Sequence, residues 1–478
     1  MHAQPLTADQ GLAADARRLA DRVQGPVFLP GDDGYDAERS GFQTGLRHLP
    51  AVVVGATGAE DVRAAVAFAR DHGLPVGVQA TGHGLAAATE GGVLVDTGRM
   101  TGVRVDPEAR TAWFEAGVRW ERVVPEAARH GLAPLNGSAP HVGAVSYTLG
   151  GGLGLLSREY GYAADHVRAI DVVTADGELR HVTADSDPEL FWALRGGHGS
   201  FGVVTAMEVD LFPVPRVYGG GLVFDTDLLP EALAAYLRWT ETVPEELTSS
   251  IGLVPMPDLP MVPEPLRGRH IAHIRIAYTG DPAEGERLVA PLRAIGPRLV
   301  DSLADMPYSE SGTIYNDPTQ PHPYRGDNAL LSELGPDAVR AVLDLAGPGA
   351  PVGCVVQVRH LGGALSRPPA VPNAVGHRGA RFLLSVLSLA GDGRREEVGA
   401  VHRRVLDALA PSTVGRSLNF LYGIGGEDGQ DDGQGGRVRG VYEPADLRRL
   451  REVKAVYDPA ETFRLNYRLS PARLTPAM

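Results

Sequence analysis

Residues Pro75–Gly84 read Pro-Val-Gly-Val-Gln-Ala-Thr-Gly-His-Gly, and the interpretation of the whole chain starts from them. Val76 and Val78 alternate with other residues, which is typical of a short buried strand. The strand continues into Ala80–Gly84, where small side chains leave successive backbone N–H groups open, and such groups can hold a pyrophosphate. His83 lies in the middle of this segment. The stretch therefore predicts either an anion-binding turn with a functional imidazole or a surface turn with an incidental histidine.

The composition is that of a globular protein with more than one core. The chain has 478 residues, 43% hydrophobic and 22% charged, and this length predicts two domains. The net charge of −14 argues against a protein that binds nucleic acid or acidic membranes in general. Cys354 is the only cysteine, which excludes an intramolecular disulfide and argues against a thiolate zinc site.

Two further features bear on the location of the protein. Residues 1–25 lack the apolar run of a signal peptide, and no stretch is long enough to span a bilayer, so we expect a cytoplasmic protein. Lys454 is the only lysine, and nearly all positive charge is arginine.

The segment around the quoted stretch predicts a β-α-β unit over residues 51–80. An apolar strand is followed by Thr57-Gly-Ala-Glu60, which has the pattern of a capping box, and then by apolar residues at helical spacing up to Gly73. Further elements are predicted as strands at Val93–Asp96, Gly102–Val105 and Ala112–Ala116, and as a helix over Arg119–His130.

Glycines cluster twice in the next hundred residues. Between Asn136 and Gly154, apolar residues run through the glycines, which indicates buried backbone and argues against a flexible loop. Asp176-Gly177 predicts a hairpin between strands 169–175 and 178–182. Gly197-x-Gly199-x-x-Gly202 matches the dinucleotide fingerprint, but a predicted helix precedes it and a strand follows it, so a Rossmann fold is rejected.

Pro213-Val-Pro215 predicts a domain boundary, beyond which strands and helices mix. Strands are predicted at Leu222–Phe224, Ile251–Val254, His270–Tyr278, Val352–Val358, Arg381–Leu389 and Leu418–Tyr422, and helices around 229–242, 282–294, 336–346, 395–409 and 444–456. This pattern predicts an α+β domain, with a mostly antiparallel sheet carrying helices on one face. Gly425–Gly436 is predicted to be a polar loop.

Three segments together resemble the berberine-bridge-enzyme-like branch of the vanillyl-alcohol-oxidase flavoproteins. They are Gln79–Gly84, the run from Gly143 through Asp165, and Glu189–Thr205, and the end of the chain from Leu450 to Pro471 fits as well. The resemblance implies a two-domain PCMH-type FAD-binding fold. It implies a discontinuous FAD-binding domain, residues 1–213 and 425–478, around a substrate-binding domain, residues 214–424, whose sheet covers the flavin.

The resemblance also implies how FAD is held. His83 would be bonded covalently to the flavin 8-methyl position, and Ala139 replaces the cysteine that forms a second bond in many relatives, so we expect a single covalent link. Val142 matches a small residue that leaves room for oxygen, and Tyr147 would bond to the ribityl chain. The other expected FAD-binding residues are Gln79, Ala80, Thr81, Gly82, Gly84, Gly143, Gly150, Gly151, Gly152, Gly154, Leu155, Gly202, Val204, Asn466 and Tyr467.

The catalytic base is not where relatives have it. Phe420 occupies the position at which the resemblance implies a tyrosine, and Ser385 occupies the position at which it implies a glutamate or a tyrosine. Tyr422, two residues beyond Phe420 on the same face of a predicted strand, is the first candidate, with His360 and Tyr324 next. A packed aromatic and a structural histidine are the alternatives, and a substrate that needs little help from a base is another. No histidine spacing indicates a metal site.

These observations predict an FAD-dependent oxidase of a small organic molecule, such as a secondary-metabolite intermediate. The substrate would pass a hydride to flavin N5, and O2 would reoxidise the flavin to give H2O2. Two alternatives stay open: a dehydrogenase of the same fold with another electron acceptor, and a non-redox cyclisation or binding protein with a structural flavin. The sequence leaves open whether the protein is a monomer or a homo-oligomer.

Overall fold

The structure is a computed structural model, and it describes residues 10–391, 393–423, 440–465 and 467–472. The helices within these ranges are α1 (Gln10–Ala20), α2 (Tyr35–Glu38), α3 (Ala59–Asp71), α4 (Trp120–Ala128), α5 (Ala144–Leu149), α6 (Ser157–Tyr160), α7 (Pro188–Gly197), α8 (Leu229–Trp239), α9 (Pro282–Arg293), α10 (Pro336–Ala346), α11 (Arg395–Leu409) and α12 (Pro444–Tyr457).

The strands form three separate sheets. In chain order they are β1 (Val27–Phe28), β2 (Val52–Gly55), β3 (Val76–Gln79), β4 (Val93–Asp96), β5 (Val103–Asp106), β6 (Thr111–Glu115), β7 (Val167–Val173), β8 (Leu179–Thr183), β9 (Val203–Asp210), β10 (Arg216–Phe224), β11 (Leu247–Pro255), β12 (His270–Tyr278), β13 (Val300–Asp301), β14 (Ala304–Pro307), β15 (Tyr324–Leu331), β16 (Val355–His360), β17 (Phe382–Leu389) and β18 (Thr413–Gly415).

The first sheet has the order β1-β2-β4-β3 and contains the predicted β-α-β unit. Strands β2 and β3 are both parallel to β4, which lies between them, and α3 buries Val62, Ala65 and Val66 against this sheet. The predicted capping box is wrong. The helix begins after Gly58, and the Thr57 hydroxyl donates to Asp61 Oδ2 at 2.8 Å, because the buried Asp61 carboxylate organises the loop before the helix.

The second sheet is antiparallel, with the order β5-β6-β9-β7-β8. Its β7–β8 hairpin turns at Asp176-Gly177 as predicted, and Gly177 has a φ of +82° that favours glycine there. Helix α7 ends in the glycine cluster and β9 follows it, so the helix precedes the cluster and the strand comes after. This order agrees with the rejection of a Rossmann fold.

The third sheet is antiparallel with nine strands, and its main order is β13-β10-β12-β11-β16-β17-β15-β18, with β14 beside β10. Helices α8, α9, α10 and α11 share one hydrophobic core with one face of this sheet. Alternation sets this face: Ala272, Ile274 and Ile276 of β12 lie in that core, while His273 and Arg275 belong to the opposite face. The predicted α+β architecture with helices on one face is confirmed.

One predicted strand of this region is wrong, and four strands were missed. Leu418–Phe420 forms a 3-10 turn, and Tyr422 makes a single bridge to Gly326, so Phe420 and Tyr422 do not share the face of a strand. The missed strands are the short β13, β14 and β18 and the longer β15, which pairs with β17 along its whole length.

The last helix brings the end of the chain back to the second glycine cluster. Lys454 of α12 is fully buried and donates to Asp458 Oδ2 at 2.5 Å, to the Ser200 carbonyl at 2.6 Å and to the Phe463 carbonyl at 3.1 Å. The packing of α12 against the second glycine cluster is compatible with a discontinuous first domain. The division into domains stays a prediction. The predicted loop at residues 425–436 lies outside the described residues. Within the described ranges no helix is both long and apolar enough to cross a membrane.

Candidate active site

A cavity of about 760 Å³ lies between the free face of the nine-stranded sheet and two loops of the N-terminal part. One loop follows β3 and includes His83. The other surrounds α5 and includes Ala139, Val142 and Tyr147, so the cavity brings together the two segments on which the resemblance depends. Their small residues leave the space open, because neither Ala139 nor Val142 has a long side chain.

The loop after β3 is held by the chain at residues 41–43. The N–H groups of Phe42 and Gln43 donate to the carbonyls of Thr81 and Gly82 at 3.0 and 3.1 Å. Gly82 has a φ of +69°, and a Cβ there would collide with Gly41. Only glycine allows this close approach, which places the Phe42 ring on the His83 ring with centroids 3.9 Å apart.

His83 is a neutral imidazole in this setting. Burial, together with the nearby His141, Arg119 and His322, lowers its pKa to about 3. Its Nδ1 is hydrogen-bonded to Thr81 Oγ1 at 2.8 Å, and its buried Nε2 has no partner in the part of the chain that the structure describes. A neutral ring with a nitrogen left unsatisfied has the chemistry of a nucleophile whose site is completed by a bound group.

The backbone of the same loop is open to an anion. Among the described residues, the N–H groups of Thr81, Gly82 and His83 donate no hydrogen bond. Three successive free N–H groups around a glycine of positive φ form a concave anion site. These free N–H groups are compatible with the predicted pyrophosphate site, which stays a prediction.

The second loop offers a buried hydroxyl to the cavity. Tyr147 of α5 packs edge-on against Trp120, with ring centroids 5.6 Å apart, and its hydroxyl is buried without a partner among the described residues. Burial raises its pKa well above the ordinary value, so the hydroxyl is a neutral donor. Gly154 passes so close to the Asn136 carbonyl that a Cβ would not fit. An unsatisfied buried donor in a glycine-lined cleft suits a ligand with hydroxyl or phosphate oxygens.

The structure brings most, but not all, of the predicted FAD-binding residues to the cavity. Those that line it are Gln79, Ala80, Thr81, Gly82, His83, Gly84, Val142, Tyr147, Gly154, Leu155 and Tyr467. Gly143, Gly150, Gly151, Gly152, Gly202 and Val204 do not line it. Gly150 is instead in contact with Asn419, and Val204 and Gly202 pack against β7 in the second sheet. Asn466 lies outside the described residues.

The three candidate bases Tyr324, His360 and Tyr422 all line the cavity, and burial shifts the pKa of each further from neutral pH. His360 Nε2 is bonded to Arg158 Nη1 at 2.9 Å, and burial and that guanidinium lower the pKa of His360 to about 3. Burial raises the pKa of Tyr324 to about 12 and raises that of Tyr422 further. The two tyrosine rings lie edge-on, 5.6 Å apart, and the Tyr422 ring lies next to Gly84.

Sequence reasoning missed two arginines on the cavity face of the sheet. Arg275 of β12 and Arg359 of β16 both line the cavity. Alternation within the strands was the available signal, because Arg275 lies between the apolar Ile274 and Ile276 on a strand whose bounds were predicted. Within the described ranges, no group of three or more His, Cys, Asp and Glu side chains could hold a metal ion.

Comparison with known proteins agrees with this geometry. Residues 50–183 match the family described as an FAD binding domain. The chain is 29% identical to (R)-6-hydroxynicotine oxidase of Paenarthrobacter nicotinovorans, over 94% of this chain and 97% of that protein. The protein is an FAD-linked oxidoreductase.

Solved structures are similar to this oxidoreductase over nearly its whole chain. The crystal structure of 6-hydroxy-D-nicotine oxidase from Arthrobacter nicotinovorans superposes with a TM-score of 0.79 at 27% identity, covering 94% of this chain and 98% of that chain. BBE-like 1 of Physcomitrella patens superposes with a TM-score of 0.81 at 18% identity, covering 96% and 99%, which shows the fold. The expected PCMH-type FAD-binding fold is confirmed.

Arg359 contacts both residues, Phe420 and Ser385, at the positions where the resemblance implied a base. Arg359 Nη1 donates to Ser385 Oγ at 3.2 Å, and its guanidinium lies 4.4 Å from the centre of the Phe420 ring. One guanidinium thus contacts both side chains. A guanidinium stays charged in proteins and cannot accept a proton, so this part of the cavity attracts negative charge and does not remove protons.

Proposed function

We propose that this oxidoreductase is an oxidase of a small organic molecule, a secondary-metabolite intermediate, and that it holds FAD by a single covalent bond to His83. The observation that carries the proposal is the His83 ring, which is neutral, partly buried and short of one partner in the described part of the chain. The matched FAD-binding region spans this residue. The printed names of (R)-6-hydroxynicotine oxidase and 6-hydroxy-D-nicotine oxidase, to which the chain is similar, support electron transfer to oxygen.

The residues present fit FAD. The free N–H groups of Thr81–His83 would receive the pyrophosphate, and the Tyr147 hydroxyl would donate to the ribityl chain. Bound FAD supplies the redox chemistry, in which the substrate loses a hydride to N5 and a proton to solvent, and dioxygen takes up two electrons and two protons as hydrogen peroxide. The short side chains of Ala139 and Val142 leave space for oxygen on the cavity side and offer no sulfur for a second covalent bond.

In the reaction, the side chains of the protein would position the substrate and polarise it. Burial and Arg158 lower the pKa of His360, so its neutral imidazole is a weak proton acceptor, and burial keeps Tyr324 and Tyr422 protonated. We therefore assign none of them the role of the catalytic base. Tyr422 is the candidate that would contact the substrate beside the flavin-binding loop, as a neutral hydroxyl. This assignment suits a substrate that gives up its proton readily.

The test of the covalent bond is acid denaturation of protein purified from riboflavin-replete cells. We expect the yellow colour to stay with the wild-type chain and to separate from His83→Ala. His181→Ala is the matched control, because His181 lies on β8 with an exposed ring paired to Asp171 at 2.7 Å. Colour that separates from the wild type would refute the covalent bond.

A second measurement separates the oxidase from its two alternatives. The holoenzyme is reduced by light under anaerobic conditions and then mixed with air-saturated buffer. An oxidase reoxidises within seconds and forms one peroxide per flavin. Slow reoxidation would favour the dehydrogenase, and turnover of a substrate without bleaching of the flavin would favour the non-redox alternative.

A further inference from the structure

The two cavity arginines are in register across the sheet. Ser250 of β11 lies directly opposite Arg275 of β12 on one side and opposite Arg359 of β16 on the other. Neighbouring strands are about 4.8 Å apart, so the two arginine backbones are separated by about 10 Å on the same face. That spacing lets two long side chains approach one small group from opposite sides.

Neither guanidinium has a carboxylate partner within the described part of the chain. Arg359 contacts Ser385 and the Phe420 ring. Arg275 lies over the Tyr315 ring, 4.9 Å from its centre, and its Nε is buried without a hydrogen bond among the described residues. Burial lowers the pKa of Arg275, and Arg359 adds to this, while Tyr315 and Asp317 act in the opposite direction without compensating for it.

The wall around the arginines does little to neutralise them. Asp317 is the one carboxylate among the described residues that line the cavity. It accepts from Ser138 Oγ at 2.6 Å, and its charge favours the charged form of Arg275 but does not offset the effect of burial. The Ser250 and Tyr315 hydroxyls bond to each other at 2.7 Å, and Gln357 Nε2 donates to Ser250 at 3.2 Å. Partly buried cations without counter-ions are costly unless a ligand supplies the negative charge.

We propose that Arg275 and Arg359 bind an anionic oxygen group of the substrate, so that this oxidase acts on an organic acid. The shared chemistry is a pair of oxygens carrying a negative charge, as in a carboxylate or an ionised 1,3-dicarbonyl enol. Guanidinium groups recognise such oxygens through charge-assisted hydrogen bonds. The proposal rests on the proposed function, since it names the substrate class of the same cavity.

The arrangement also explains the loss of both family base positions. A base at Phe420 or Ser385 would carry or develop negative charge and would compete with the substrate anion for Arg359. With Phe420 and Ser385 in place, the guanidinium keeps its donors for the ligand. A specific anion site therefore replaces a proton acceptor at this end of the cavity.

The test uses the yellow holoenzyme and matched pairs of probes. Benzoate is compared with benzamide, 1-naphthoate with 1-naphthamide, and an ionised cyclic 1,3-diketone with its neutral methyl enol ether, each titrated while the flavin absorption spectrum is recorded. We expect at least one anion to bind about tenfold or more tightly than its neutral partner. The acid and diketone pairs distinguish a carboxylate from an enolate.

Arg275→Gln and Arg359→Gln should each weaken binding of that anion by about tenfold to a hundredfold and leave the neutral partner unchanged. Arg216→Gln is the control, because Arg216 lies at the start of β10 in the same sheet and pairs with Asp305 on the surface. FAD content and peroxide formation after photoreduction are measured in each variant.

Two results would overturn the inference. One is that no anion binds better than its neutral partner. The other is that the two variants change the flavin spectrum or its reoxidation but leave anion binding intact, which would assign the arginines to the flavin. After either result, a covalently bound flavin that forms peroxide would still support the proposed function. Failure of the anion-binding inference can therefore be told apart from failure of the proposed function.

Discussion

Phe420 and Tyr422 differ by one hydroxyl oxygen, and their surroundings decide what that oxygen can do. Phe420 lies under the Arg359 guanidinium, whereas Tyr422 lies against Gly84 and Tyr324. Burial penalises the phenolate more than the neighbouring Arg359 favours it, and the pKa of Tyr422 is therefore raised. At the scale of single residues, burial turns a candidate base into a neutral hydroxyl.

We expect the ultraviolet titration of Tyr422→Phe to superimpose on that of the wild type from neutral to moderately alkaline pH. The reason is that a phenol whose pKa is raised contributes no tyrosinate signal in this range. Loss of a tyrosinate band near neutral pH in the variant would instead identify Tyr422 as an activated base. Tyr324→Phe serves as the comparison, since burial also raises the pKa of Tyr324, to about 12.

At the scale of elements, α12 is fixed by one buried ion pair and helped by one exposed ion pair. Lys454 and Asp458 are one helical turn apart and fully buried, and Asp458 also accepts from the Thr462 and Phe463 N–H groups at 2.7 and 2.9 Å. Arg449 of the same helix pairs with Glu189 of α7 at 2.7 Å on the surface. The two pairs offer an internal comparison.

Lys454→Met should lower the free energy of unfolding by about 3–5 kcal/mol, because it leaves the Asp458 carboxylate buried without its cation. Arg449→Met should cost about 1 kcal/mol or less, because water screens the exposed pair. Denaturant titration followed by tryptophan fluorescence measures both. Equal costs would mean that the buried pair does not anchor the helix.

The elements differ in how far the sequence specifies them. The bounds of β12 agree with the prediction, since His270–Tyr278 alternates without interruption. Strand β15 was missed because Gly326, Asp327 and Asn328 resemble a turn. The Asn328 side chain is held by Ser417, 89 residues away: its amide donates to the Ser417 carbonyl at 2.9 Å, and its Oδ1 accepts from the Ser417 N–H at 2.7 Å. Such a long-range partner is invisible to local patterns.

The parts of the candidate site also differ in how far the sequence could predict them. The loop around His83 was predictable, because its glycines and its histidine are adjacent in the chain. The anion site was not, since Arg275 and Arg359 meet only through the register of β12, β11 and β16. The turn at Leu418–Phe420 was also mistaken for a strand, because its apolar residues alternate while its backbone pairs only at Tyr422.

At the scale of the whole molecule, buried histidines set the response to acid. Burial lowers the pKa of His48, His198 and His402 to about 4, whereas the ordinary value is 6.5. Between these values the unfolded chain binds more protons than the folded one, so stability is lost as the pH falls through this window. Asp96, whose pKa burial raises to about 6, acts in the opposite direction, as do Asp446 and His166, whose pKa values are also raised. His83 and His360, whose pKa values are lowered to about 3, act in the same direction as the three histidines.

We therefore expect the free energy of unfolding to fall between pH 6.5 and pH 4, and His402→Gln to fall less steeply than the wild type. Denaturant midpoints at several pH values measure this slope. His181→Gln is the control, because its ring is on the surface. A wild-type curve that is flat over this range would contradict the assignment of neutral buried histidines.

The burial of Lys454 has a practical consequence, since it is the chain's one lysine. The native surface offers no lysine amine to succinimidyl esters or aldehyde cross-linkers, so immobilisation or fixation through lysine will fail while the protein stays folded. Labelling of Lys454 would then require α12 to separate transiently from the glycine cluster, and the labelling rate would measure the rate or the extent of that local opening.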